Sequence, residues 1–153
     1  MLDLRELYQE VILDHGKSPR NFGPLEDKNT EAHGHNPLCG DSITIYLHIT
    51  DEIIKDIRFE GKGCAISLAS ASMMTELLKG KTTEEASKLF GKFHALVAEG
   101  KEVKNFETDN EEFEKLHVLA GVKEYPMRVK CATLPWHTFK AAVENNNGEV
   151  STE

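Results

Sequence analysis

DSITIYLHITDEIIKDIRFEGKGCAISLASASMM, residues 41–74, decides the architecture. Ile43, Ile45, Leu47 and Ile49 alternate with Ser42, Thr44, Tyr46 and His48, which is the pattern of a strand with one buried face. Asp51-Glu52 reads as a tight turn, and Ile53 to Glu60 as the return strand of an antiparallel hairpin with Ile57 and Phe59 inward. From Cys64 to Lys79 the period turns helical, and Gly80 closes it. Ala65, Ser67, Ala69, Ser70, Ala71 and Ser72 are small, so this helix can lie very close to a neighbour.

Before the hairpin, Leu4 to His15 reads as a helix with an Asp3/Glu6 capping box, ended by Gly16 and Pro19. Residues 20–38 are rich in Asn, Gly, Pro and His and read as loop. After it, Thr82 with Glu85 offers a second capping box. Leu89, Phe90, Phe93, Leu96 and Val97 then form an apolar stripe. Residues 105–110 read as polar loop, and Asp109 with Glu112 as the cap of a short helix carrying Phe113, Leu116 and Leu119. A last helix opens at Cys131, after Pro126, and runs to about Val143. The expected fold is α+β, a small antiparallel β-sheet with helices on one side. The chain of 153 residues suits a single domain over 1–145 with a frayed tail over 146–153.

Composition narrows the function classes. A net charge of −8 with no basic, aromatic-laced cluster argues against nucleic acid. No apolar run approaches the roughly 20 residues that span a bilayer, and the acidic start MLDLRELYQE does not look like a signal peptide. The expected setting is cytoplasmic. Three cysteines are an odd number for a disulfide framework, so metal ligands, reactive thiols or buried apolar residues remain.

All three cysteines fall at element boundaries beside glycines or basic residues: Pro37-Leu38-Cys39-Gly40-Asp41, Gly61-Lys62-Gly63-Cys64 and Arg128-Val129-Lys130-Cys131. Gly40 leaves room for a bend that turns the Cys39 thiolate and the Asp41 carboxylate toward one ion. Three thiolates and one carboxylate suit tetrahedral zinc, and replacing a fourth sulfur by a carboxylate makes the set easier to open. Arg128 and Lys130 are candidates to offset the negative charge of such a site. Bland readings attach to other residues. His33 and His35 read as solvated imidazoles of a polar loop, His15 as helix-end packing, and Met73, Met74 and Trp136 as core.

Nearly the whole chain resembles the U-type iron–sulfur cluster assembly family, SufU and IscU. The resemblance rests on LYQEVILDHGKSPRNFG at 7–23, NPLCGD at 36–41, FEGKGCAISLASASMMTELLKGK at 59–81 and RVKCATLPW at 128–136. It implies that Cys39, Asp41, Cys64 and Cys131 are the site residues. Lys130 stands where IscU proteins have histidine, and the polar stretch around 100–110 looks like the SufU insertion. Both point to the SufU branch. Residues 31–35, Glu-Ala-His-Gly-His, differ from the apolar strand of SufU relatives at that place.

SufU-like function implies zinc and a SufS-like cysteine desulfurase as partner, with a downstream iron–sulfur assembly scaffold. Cys39 is then the persulfide acceptor of a sulfurtransferase, released from zinc by a histidine of the desulfurase, and Arg128 a contact for that enzyme. The alternatives are a scaffold that builds a transient [2Fe–2S] cluster on the same ligands, with iron in place of zinc, and a structural zinc domain without a reactive thiol.

Overall fold

A computed structural model describes residues 4–37, 40–99, 125–144 and 149–151, together with Leu116, Leu119 and Val122. Helix α1 is Leu4–Lys17, followed by strands β1 (Thr30–Asn36), β2 (Asp41–Thr50) and β3 (Ile53–Lys62). Helices α2 (Ala65–Leu78) and α3 (Thr83–His94) come next, and α3 runs on into a π-helical turn, Ala95–Glu99. Helix α4 is Pro126–Val143, and β4 is Glu149–Ser151. The sheet order is β3-β2-β1-β4. The first two pairings are antiparallel, and β4 lies parallel to β1. The α+β class expected from the sequence holds.

The β2–β3 hairpin forms where the alternation placed it. Ile43, Ile45 and Leu47 face Gly61, Phe59 and Ile57 across the ladder, and all but the glycine are buried. A register shift at His48/Ile49 turns Ile54 inward as well. The turn places Asp51 and Glu52 at φ 53° and 64°, the left-handed pair that matches the twist of a two-residue hairpin. Helices α2 and α4 cover the apolar face, and Trp136 stacks on Phe93 with ring centroids 4.7 Å apart. Met73, Met74 and Trp136 are buried in this core.

Four expectations need correction. Residues 30–36 are a strand rather than loop. Its inward residues are Ala32, Gly34 and Asn36, too small or too polar to register as an apolar alternation. They are small because α4 crosses here: a Cβ on Gly34 would lie 2.0 Å from Thr138 Oγ1 and 3.0 Å from Leu134 Cδ1. Gly16 does not end α1, which continues to Lys17. It lies where α1 meets the start of α2, and a Cβ there would make an ordinary contact with Ala65 at 3.4 Å. Helix α4 opens at Pro126, whose missing amide costs nothing in a first turn. Cys131 therefore sits in the second turn rather than at the helix start. Within the expected frayed tail, residues 149–151 pair with His33 to His35.

The Thr82/Glu85 capping box is present in both directions. The Asp3/Glu6 box, the 105–110 loop and the Asp109/Glu112 cap lie outside the described residues. Among those described, no helix is long and apolar enough to cross a membrane.

Candidate metal centre

Three of the four expected ligands converge. The donor atoms of Asp41, Cys64 and Cys131 all lie within 4.8 Å of one another. Each arrives on a different element. Asp41 is the first residue of β2, Cys64 is the N-cap of α2, and Cys131 is in the second turn of α4. Cys39 lies outside the described residues.

The glycines at the end of β3 make the approach possible. A Cβ on Gly63 (φ +153°) would lie 2.3 Å from Asp41 Oδ1 and 3.0 Å from Asp41 Cα. A Cβ on Gly61 would lie 2.2 Å from the Ser42 carbonyl oxygen. With both side chains absent, the chain turns out of β3 directly against Asp41. The Cys64 amide then donates to Asp41 Oδ1 at 2.8 Å. One carboxylate oxygen is thus fixed by backbone, and the other, Oδ2, lies 3.9 Å from Cys64 Sγ.

Cys64 is half-buried, and its pKa is lowered from 9.0 to about 6. The largest cause is a hydrogen bond from the Cys131 thiol. Burial opposes this. Cys64 makes no formal cap hydrogen bond, yet the amides of Ser67 and Ile66 at the start of α2 also favour its thiolate, while Asp41 disfavours it. Cys131 and Asp41 are buried. Asn36, the residue paired with Asp41 across the β1–β2 ladder, is buried on the same face. Its Nδ2 donates to Cys131 Sγ at 3.6 Å.

Three acidic groups gathered in a largely buried spot repel one another once ionised, and a cation removes that cost. Donors around tetrahedral zinc sit roughly 3.3–3.8 Å apart, so a 3.9 Å sulfur–oxygen separation needs little adjustment. The donor set fits a thiophilic divalent ion with one place left for a further ligand.

Arg128 is exposed on the first turn of α4, with Lys130 half-buried two residues on. The outward positions of β1 carry the two histidines of the polar segment. His33 is exposed and shares a hydrogen bond with Thr44 Oγ1 at 2.7 Å; His35 is half-buried. His15 is buried and bonded to Ser72 Oγ at 2.7 Å, which is the packing role expected of it. Asn36 was missed as a site residue. Its signal was the continuation of the inward series Ala32, Gly34, Asn36 into the NPLCGD segment.

The chain is similar to known proteins over nearly its whole length. The NifU-like N terminal domain family matches residues 7–148. A zinc-dependent sulfurtransferase SufU of Bacillus subtilis is 40% identical over 95% of both chains. An iron–sulfur cluster assembly scaffold protein IscU of Thermotoga maritima is 38% identical over 90% of this chain and 93% of that one. The solved structure of an iron–sulfur cluster assembly scaffold protein for the SUF system from Fervidobacterium islandicum superposes with a TM-score of 0.78 at 36% identity. It covers 92% of this chain and 99% of that one. Fold, converging ligands and sequence together place this chain in the SufU/IscU family of iron–sulfur cluster assembly proteins.

Proposed function

We propose that this chain is a zinc-dependent sulfur acceptor in iron–sulfur cluster assembly, taking persulfide sulfur from a SufS-like cysteine desulfurase onto Cys39. The observation that carries the reading is the convergence of Asp41, Cys64 and Cys131. Cys39, two residues before Asp41 in NPLCGD, supplies the fourth donor. Bound zinc supplies a store of thiolate at neutral pH. The similarity to a protein named as a zinc-dependent sulfurtransferase supports the choice of ion and of chemistry.

Transfer then runs as a thiolate exchange. The Cys39 thiolate attacks the outer sulfur of the desulfurase persulfide, Cys–S–SH. A new S–S bond forms at Cys39, the old one breaks, and the desulfurase cysteine leaves as thiolate. Asp41, Cys64 and Cys131 keep the site assembled meanwhile. Arg128 and Lys130, on the α4 turns leading to Cys131, offset its negative charge and meet the acidic or backbone groups of the desulfurase. The sulfur passes on to a downstream iron–sulfur assembly scaffold. The proposed unit is one domain over 1–145, working in the cytoplasm, where thiols stay reduced.

The test mixes purified chain, desulfurase and cysteine, and compares Cys39→Ala with wild type. The variant is expected to lose stimulation of sulfide release, and equal stimulation would remove Cys39 from the acceptor role. Elemental mass spectrometry of untagged protein is expected to find about one zinc per chain, with less in Asp41→Ala. Relatives named as scaffolds favour a second reading, a transient [2Fe–2S] cluster on the same ligands. Iron with acid-labile sulfide, passed intact to an apo-acceptor, would select it.

A further inference from the structure

We propose that Asn36 is a positioning residue of the metal centre, whose side-chain amide holds the Cys131 sulfur and keeps it a standing ligand. The inference rests on the metal-site reading above and extends it to the residue behind the ligand. Three observations converge. Asn36 ends β1 directly opposite Asp41, so the ladder that delivers one donor also delivers the amide. Its Nδ2 lies 3.6 Å from Cys131 Sγ, within the reach of an N–H···S bond. It is wholly buried at the end of an inward series whose other members are Ala32 and Gly34. A primary amide is costly in such a place unless its hydrogen bonds are made there.

The chemistry suits an amide. Asn carries no charge and does not titrate, so it donates to Cys131 as thiol or thiolate, and more strongly to the thiolate. It thereby draws electron density from that sulfur, leaving it less basic and less nucleophilic. Outer hydrogen bonds of this kind orient metal ligands and tune them. Held from β1, Cys131 stays in place while sulfur chemistry proceeds elsewhere on the donor set. An Asp at 36 would keep the shape but set a carboxylate against the thiolate, and a Leu would keep the volume but offer no donor.

The experiment uses the full chain as wild type, Asn36→Leu and Asn36→Asp. Cobalt(II) replaces zinc, and the sulfur-to-cobalt charge-transfer band is recorded. Zinc affinity is measured by competition with a chromophoric chelator. Far-UV circular dichroism of the metal-free proteins reports the fold. In Asn36→Leu the band is expected to move to lower energy, because the sulfur has become a stronger donor. Zinc affinity should fall about 10–100-fold, the usual effect of losing an outer-shell partner, with the metal-free fold kept. In Asn36→Asp affinity should also fall, through repulsion. Band position and affinity equal to wild type in both variants would overturn the proposal. So would loss of the metal-free fold in both, since the amide would then be serving the core. A wild-type chain with no charge-transfer band at all would instead defeat the metal-site reading, and this inference with it.

Discussion

Gly63 sits where three demands meet: a strand must end, a helix must begin, and Asp41 must lie between them. Its missing Cβ is what allows Asp41 Oδ1 to accept from the Cys64 amide. Gly63→Ala should therefore cost about 1–3 kcal/mol, the usual range for forcing an atom into packed structure, and should also weaken metal binding. Urea unfolding with and without zinc separates the two effects. Cys64 leads to a second expectation. Its thiolate is favoured first by Cys131, so in the metal-free chain alkylation of Cys64 should rise with pH and level off above about 6. Cys131→Ala should move that midpoint upward, as peptide mass spectrometry after a timed pulse would show. The sign for stability follows from the lowered value: this group's contribution is full above the ordinary thiol value of 9.0 and is lost as pH falls through about 6. Glycine flanks marked Asp41 and Cys64, whereas Cys131 was marked by its basic neighbours and the family resemblance, not by a helix start, since α4 opens at Pro126. Asn36 was hidden because a polar residue before a proline reads as loop.

At the scale of elements, the hairpin and the small-residue helix were legible because their periods are clean and their burial is one-sided. Strand β1 was not, because its partner on the inward side is a helix that needs space rather than a core that needs filling. Thr138 and Leu134 occupy the room that a side chain at 34 would take. Gly34→Ala should destabilise by about 1–3 kcal/mol and push α4 outward. Adding Thr138→Ala should return a large part of that loss, and a double-mutant cycle by urea unfolding measures the coupling. The start of α4 misled for a related reason. Pro126 reads equally as a break or as a first-turn residue, and only the surrounding packing decides between them.

Across the whole molecule, one layer of helices covers one face of a sheet, and the outer edge of β3 is covered as well. Gly23 donates to the Phe59 carbonyl at 2.8 Å, Phe59 donates to the Asn21 carbonyl at 3.0 Å, and Ile54 donates to that of Lys81 at 2.9 Å. Such cover blunts the pairing of one sheet with another. Between α3 and α4, half-buried His137 packs edge-on to Phe90, with centroids 5.0 Å apart. Burial lowers its pKa first, then the nearby His94 and Lys140. A lowered histidine supports the fold in its neutral form, so its contribution holds above 6.5 and fades as pH falls through the depressed value. Thermal midpoints should drop as pH falls below 6.5, and His137→Gln should flatten that slope. The wide separation of the converging residues has a consequence for the order of events at the ribosome. Asp41 and Cys64 are 23 positions apart and share a hydrogen bond within the first half of the chain, whereas Asn36 and Cys131 are separated by 95. A nascent chain carrying the proposed donor set thus has Cys39, Asp41 and Cys64 early, and gains Cys131 only with α4. The proposed centre is therefore complete only once the last helix has docked, so trimming that helix should remove one ligand and leave the other three on the chain.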